Sequence, residues 1–532
     1  MANDIHAQAI PLPKFPMSAF DLGYSLKTCS QMGIMNCHYV EEVIPSDIAH
    51  IKTDIFCRLD PLTFPVMHKI KVRQNFFFVP TRLILGDDLQ KEYFSYADMG
   101  AKLPSYRILP VGTSGLNASD VLGKNTLFDQ MECQPVASSD NTYPHVVRNP
   151  LPFLMYHQIA KDFYLDEVYN SSEISKIENL ISGYQATQLN GIIDLSSGMA
   201  ISPFDIERVA YSKDRFTSAQ PDAQRVGEVY LMNPLNLQFK DGSSYNASGQ
   251  TIYMAGSNSS NKPGDVYSLD SNSNAKLVRP SLTIDDLWDE MAVQRFLNSM
   301  NEFGNERYTE ILAGQFGVVS ADARLQRAQW LGGNEMVVNV SEVLQTSETT
   351  SNSPLGALGG RGLVAGRGRD ISFRVPEHGF ILGILTFVPE NGYASGSPRW
   401  LYKSTPMDFA VPRFNNLGEQ AVYDGELFSD HKPDASTLDF GEFGYQPQYD
   451  EYRSHPSRST GDFRETSFLP WHLDRKFTSV PPLDADFIKI SASDTNRIFN
   501  DTDPDSYHFR VHAFHKAMYV RPISKHPIPG KL

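Results

Sequence analysis

Residues 47–59, DIAHIKTDIFCRL, alternate between two kinds of side chain with a period of two. Ala49, Ile51, Thr53, Ile55, Cys57 and Leu59 fall on one side, while His50, Lys52, Asp54 and Arg58 fall on the other. A pleated strand sends successive side chains to opposite faces, so this stretch predicts a half-buried strand. The next run, HKIKVRQNFFFVP, starts the same way, with Ile70, Val72, Phe76 and Phe78 set against Lys69, Lys71, Arg73 and Asn75. It then turns apolar on both sides at Phe77 and Val79, which predicts a sheet open at one end and covered at the other.

Further strand signals follow along the chain: EMVVNV (Met336, Val338, Val340), ISFRV (Ile371, Phe373, Val375), GFILGILTFV at 379–388, and the C-terminal YHFRVHAFHKAMYV. The richness in Phe, Tyr, Gly and Pro (32, 24, 36 and 34 residues) suits strands joined by irregular loops. Two helices interrupt them. PLPFLMYHQIAKDFYLDEVYN places Tyr156, Ile159, Ala160, Phe163 and Tyr164 on one face, as a surface or shell-lining helix would, with Pro152 in its first turn. SLTIDDLWDEMAVQRFLNSMNEF combines a Thr283/Asp286 capping pattern with a stripe through Ile284, Leu287 and Trp288. Residues 231–279 are rich in Ser, Asn and Gly, interrupted by short pieces such as TIYMA, and read as an exposed excursion. Strands at both ends enclose these insertions, so residues 1–532 are expected to form a single elaborated all-β domain, with 1–37 as an extended N-terminal segment.

Charge and cysteine content narrow the class. Lys and Arg total 47 against 62 Asp and Glu, a formal charge of −15, which excludes the chain as a whole from being a non-specific nucleic-acid binder and leaves room for a local basic patch. Cys29, Cys37, Cys57 and Cys133 form no CxxC pair, and free buried thiols in a reducing cytoplasm are expected. The N-terminus carries no secretory pattern, and 379–389 falls short of the roughly 20 apolar residues of a spanning helix, so no membrane insertion is expected.

The chemistry-bearing motifs are incomplete. Glu377 and His378 are neighbours on a strand and point to opposite faces, so they do not make a dyad; Pro376 and Gly379 flank them and mark a strand entrance, where His378 is expected to hold a sheet corner by a hydrogen bond. GRGLVA (360–365) imitates a dinucleotide fingerprint, but the polar SETTSNSPLGALG stands where a strand is needed, and a flexible loop is expected. The acidic turn NDTDPDS offers Asp501, Asp503 and Asp505 as candidate cation ligands; Ser506 replaces the glycine of a calcium loop and His512 its bidentate glutamate, so no metal is expected. His508, Arg510 and His512 are expected to share one strand face, opposite Tyr507, Phe509 and Val511. No catalytic motif and no cofactor fingerprint is complete. Paired carboxylates for glycoside hydrolysis carry no sequence spacing, so a carbohydrate-binding or hydrolytic β-sandwich is the alternative reading.

Ten stretches, among them EEVIPSD, RLDPLTFPVMHKIKVRQNFFFVPTRLI, LPFLMYHQIAKDFY, YSKDRFTSAQPDAQ, NERYTEILAGQFGV, RLQRAQWLGG, PEHGFILGILTFVP, FNNLGEQ and QYDEYRS, run in order from about residue 40 to the end. Together they resemble the major capsid protein of the microviruses, small icosahedral phages with single-stranded DNA, and especially its gokushovirus-like branch. The resemblance implies an eight-stranded antiparallel jelly roll with large loop insertions containing a few helices, sixty copies of which self-assemble into a T=1 shell around a circular genome. It further implies pilot or minor capsid and scaffolding proteins as partners, and a virion location after assembly in the bacterial host cytoplasm. Within 231–279 it implies a variable protrusion meeting a host surface receptor, with Lys240, Asp241, Tyr245, Tyr253 and Asn261 as candidate contacts.

Lys14 is the one fixed positive charge in the first 26 residues, so the N-terminus is no polybasic packaging arm. The family implies a small basic DNA-binding protein for that task. Arg510, Lys516, Arg521 and Lys525 are the candidate cations of the DNA-facing lining.

Overall fold

The computed structural model describes residues 16–94, 100–110, 117–141, 143–195, 201–221, 266–269, 275–278, 326–344, 346, 356, 358–415, 418–429 and 441–526. The strands before the excursion are β1 (Ser18–Asp21), β2 (Tyr24–Ser30), β3 (Asn36–Val43), β4 (Ile48–Leu59), β5 (Ile70–Pro80), β6 (Ser105–Ile108), β7 (His145–Val147) and β8 (Ile192–Leu195). Within the excursion lie β9 (Val266–Leu269) and β10 (Ala275–Val278). After it come β11 (Gln329–Val337), β12 (Asn339–Leu344), β13 (Leu358–Gly366), β14 (Ile371–Arg374), β15 (Gly379–Pro389), β16 (Gly392–Tyr393), β17 (Glu419–Tyr423), β18 (Glu442–Pro447), β19 (Ser457–Arg458) and β20 (Phe509–Arg521). The chain divides into two compact units, residues 1–223 with 324–532, and residues 224–323.

In the first unit, two antiparallel sheets dominate. One runs β1-β20-β4-β13-β12, with β2 also on β20 and β14 also on β4; the other runs β11-β5-β15-β3. Strands β2, β20, β4 and β13 facing β3, β15, β5 and β11 are the eight strands of an all-β jelly-roll sandwich, and β1, β12 and β14 extend its first sheet. The chain ends do pair: β20 lies between β4 and the N-terminal strands, so residues 462 positions apart form adjacent rungs, as in Thr53 opposite His515. Between the sheets, the Phe387 and Phe509 rings sit 4.2 Å apart, and the hydroxyls of Tyr39 and Tyr519 share a 2.9 Å hydrogen bond.

The period-two expectations hold. Ala49, Ile51, Thr53, Ile55, Cys57 and Leu59 are all buried in β4. In β5, Ile70 and Val72 alternate with half-buried Lys71 and Arg73, and both faces are covered from Phe76 onward. The cover is the helix α1 (Leu151–Ile159) and the π-helical turn that continues it to Tyr164, whose Phe163 ring meets Phe77 at 4.8 Å. This helix is not the surface helix expected. Phe153 through Ile159 are all buried, because α1 is wedged against the outer face of the β5/β15 sheet instead of lying on solvent. The same wedge explains β15: every one of its residues from Gly379 to Pro389 is buried, with one sheet face on the sandwich and the other under α1.

Two further expectations change. GRGLVA is no flexible loop; it lies in β13, hydrogen-bonded between β12 and β4. Its glycines allow close approach: a Cβ on Gly360 would sit 2.6 Å from the Phe64 carbonyl oxygen and 3.0 Å from the Pro65 Cα. EMVVNV belongs to two strands, since the chain leaves the second sheet at Val337 and enters the first at Asn339, with Val338 buried at the crossing.

In the second unit the described residues form one antiparallel hairpin, β9 with β10. The excursion at 231–279 falls within this unit. TIYMA and the helix expected around Thr283 and Trp288 lie outside the described residues.

Candidate functional site

The strand entrance is built as a corner. Gly379 opens β15, where a Cβ would meet the Val79 carbonyl oxygen at 2.4 Å and the Phe78 ring at 2.7 Å. Glu377 turns toward Arg82, whose Nη2 donates to it at 3.2 Å. The backbone carbonyl of His378, not its imidazole, holds the corner, accepting from Thr81 N at 2.9 Å and Thr81 Oγ1 at 3.0 Å. The imidazole stacks on Phe94 at 4.5 Å, and partial burial lowers its pKa. Glu377 and His378 thus have separate partners, with Pro376 exposed beside them.

The acidic turn satisfies itself. Asp501 accepts from Asp503 N at 3.1 Å and from Ser506 Oγ at 2.6 Å, and Asp503 accepts from Asp505 N at 3.1 Å. These are side-chain turns of the kind Asp favours. Among the described residues no three His, Cys, Asp or Glu side chains converge in a way that would hold a metal ion.

A deeply buried charged network was not legible in advance. Arg215, from YSKDRFTSAQPDAQ, donates to both Glu426 oxygens at 3.0 and 3.2 Å and to Asp450, from QYDEYRS, at 3.0 Å. Arg399 adds a second cation on Glu426 at 3.1 Å, and the Gln446 amide donates to the Arg215 carbonyl at 2.6 Å. Charges this deep persist only when paired and hydrogen-bonded. Glu426 and Asp450 are therefore committed to Arg215, and this pair is no hydrolytic carboxylate dyad. The signal was present as an Arg and acids in two separate motifs; their meeting is a tertiary fact.

The outward face of the first sheet gathers cations and rings. In cross-strand register, Cys29, Arg510, Arg58 and Leu363 form one rung and Lys27, His512, Phe56 and Ala365 the next. Lys516 stands opposite Lys52, and Met518 opposite His50, itself opposite Ser372. The His512 and Phe514 rings lie 3.9 Å apart, and the Arg58 guanidinium lies 5.3 Å from the Phe56 centroid. His508 does not share this face. It precedes β20 and is buried against Phe499, with ring centroids 4.1 Å apart.

Three of the four candidate lining cations are already compensated. Arg510 grips Asp60 at 2.9 and 3.2 Å, Lys516 meets Asp54 at 3.0 Å, and Arg521 meets Glu41 at 2.9 Å and Asp47 at 3.1 Å. Arg510 and Lys516 lie on the outward face, Arg521 is tucked over the Tyr519 ring, and Lys525 is exposed beyond the strand. Lys240, Asp241, Tyr245, Tyr253 and Asn261 lie outside the described residues.

A separate apolar cluster is open to solvent: Trp400, Leu401, Phe409 and Tyr452 are 50–69% exposed. Lys403 stands among them, 4.2 Å from the Tyr452 centroid and 2.7 Å from Glu451. All four cysteines are free; Cys37 and Cys57 are buried, Cys29 and Cys133 partly so. No helix among the described residues is long and apolar enough to cross a membrane.

The profile of the family described as "Capsid protein (F protein)" matches residues 9–530. "Capsid protein VP1" of Chlamydia phage 1 is 26% identical, over 98% of this chain and 96% of its own length. "Capsid protein VP1" of Bdellovibrio phage phiMH2K is 27% identical over the same shares, and that of Spiroplasma virus 4 is 24% identical over 99% and 96%.

Proposed function

Because the chain belongs to the capsid protein (F protein) family of the microviruses, and is a structural protein of the virion and not an enzyme, we propose that sixty copies close into a T=1 icosahedral shell around a circular single-stranded DNA genome. The observation that carries this reading is the near end-to-end match to phage capsid proteins by a chain folded as an eight-stranded antiparallel sandwich. Such a sandwich keeps its own core while its long connections stay available to neighbouring copies. The exposed Trp400, Leu401, Phe409 and Tyr452 are the contacts we assign to such a neighbour, since apolar patches of this kind mark association surfaces.

On the same reading the excursion at 231–279 faces outward and meets the bacterial host receptor. A small basic DNA-binding protein and scaffolding and pilot proteins assist packaging and assembly, which takes place in the host cytoplasm. Arg510, Lys516, Arg521 and Lys525 belong to the lining on this account, with the first three carrying carboxylate partners that reduce their free charge.

The test is to express the chain with its scaffolding partners and examine the product by sedimentation and electron microscopy. Closed particles or regular pentameric intermediates are the expected result. A chain that stays monomeric under those conditions would overturn the proposal.

A further inference from the structure

The first sheet sets like charges directly opposite one another twice on its outward face: Arg58 against Arg510, and Lys52 against Lys516. Opposed like charges on neighbouring strands are destabilising. Local carboxylates answer part of this, through Asp60 on Arg510, Asp54 on Lys516 and Asp370 on Lys52. Yet Lys27, Arg58, Arg361, Arg367, Arg369 and Arg374 are all exposed on or beside the same face, and no carboxylate lies within ion-pair distance of any of them among the described residues. A chain with a formal charge of −15 therefore concentrates unneutralised positive charge on one sheet face.

The same face carries rings. Phe514 is 41% exposed, Phe56 and His512 are half-buried, and both flank Lys27 and Arg58 in the register. Cations alone suit any polyanion. Cations interleaved with one exposed and two half-buried aromatic rings suit a polyanion whose own rings are free to stack, which describes unpaired nucleotides and not a duplex or an acidic protein surface. On the second sheet, α1 covers the outer face of β5 and β15.

We propose that the outward face of the β1-β20-β4-β13-β12 sheet is a binding platform for single-stranded nucleic acid. Lys27, Arg58 and Arg361 meet phosphates, and Phe514, Phe56 and His512 stack on bases. The inference deepens the shell reading and rests on it for the source of the strand, the enclosed genome. It also shifts the expected lining from the carboxylate-paired Arg510 and Lys516 to their unpaired neighbours.

The experiment measures binding of the full-length, unassembled chain to fluorescent oligothymidylate of about 20 nucleotides, a length spanning more than one typical single-strand site, by anisotropy at several salt concentrations. The triple variant Lys27→Glu, Arg58→Glu, Arg361→Glu should bind at least about tenfold more weakly, with the salt slope shallower by about 0.7 for each phosphate that is no longer neutralised. Phe514→Ala should weaken binding about fivefold or more without changing the slope, and Phe514→Trp should restore it. A duplex of equal length should bind more weakly than the single strand. Unchanged affinity in the charge variant, or equal binding of duplex and single strand, overturns the platform. So does a charge variant that keeps its affinity for the oligonucleotide but no longer forms particles, because the face then meets the acidic surface of another copy. If the unaltered chain forms no particles yet shows the expected oligonucleotide behaviour, the shell reading fails while the platform stands.

Discussion

Arg215 and Glu426 face each other with both guanidinium–carboxylate bonds made, at 3.0 and 3.2 Å, and each side chain is only 1% exposed. The pair joins positions 211 residues apart in the chain.

Removing one partner leaves the other charge buried alone. Arg215→Met or Glu426→Leu should each cost about 3–5 kcal/mol of stability, whereas the double variant Arg215→Met, Glu426→Leu should recover part of the loss, with Asp450 and Arg399 each still lacking one partner. Chemical denaturation of the four proteins in a double-mutant cycle checks this; additive losses would rule out coupling.

Gly379 has no room for a methyl group. Gly379→Ala should destabilise the chain by about 1–3 kcal/mol, as overpacking does, because the Val79 carbonyl and Phe78 ring stand within 2.7 Å of the new carbon. The urea midpoint is the readout, with an unaltered value as the contrary outcome.

His38 and His515 stack between the sheets at 5.4 Å, both buried. His515 bonds Thr53 Oγ1 through Nδ1, and Gln74 stands 3.4 Å from His38 Nε2. Burial lowers the His38 pKa well below its ordinary value and that of His515 from 6.5 to about 4. The unfolded chain thus takes up a proton near pH 6.5 that folded His515 refuses until about pH 4. The contribution is full above pH 6.5 and is lost as the pH falls through that window, by up to about 1.4 kcal/mol per pH unit for each imidazole. Glu41 and Asp47, raised by burial, act in the opposite sense. The difference between the native chain and His515→Asn isolates the imidazole: the variant should lose less stability between pH 6.5 and 4.

Leu401→Asp with Trp400→Ser should leave the thermal midpoint within about a degree or two, since both side chains are exposed, and should prevent particle formation. Normal particles from the folded variant would remove this cluster from the subunit contacts.

Deleting part of residues 241–264 should leave particle yield unchanged and reduce attachment to host cells. Loss of particles would show that the segment serves assembly instead.

Much of the sandwich was readable in one dimension. Periodicity placed β4, the start of β5 and β20, because a half-buried strand's burial pattern is written every second residue, and an unbroken apolar run placed β15. The reading went astray where a residue's meaning depended on what lies above it. A glycine-rich run looked like a loop because Gly360 serves a close contact with Phe64 and Pro65, nearly 300 residues earlier, and Gly362 one with Leu59. A helix looked superficial because its second face is buried only by its docking on the β5/β15 sheet. The ten ordered stretches pointed to the family, but none of them contained the Arg215–Glu426–Asp450 arrangement.

The order of side chains along the chain determined which segments pleat, which face of each is apolar, and that the whole carries a negative charge, since these are local properties of spacing and residue type. Folding alone decided which charges neutralise one another. Asp60 reaches Arg510 across 450 residues, while Arg58, directly opposite in the neighbouring strand, keeps its charge. Coulomb interactions depend on distance in space, and that distance exists only once the sheets have closed.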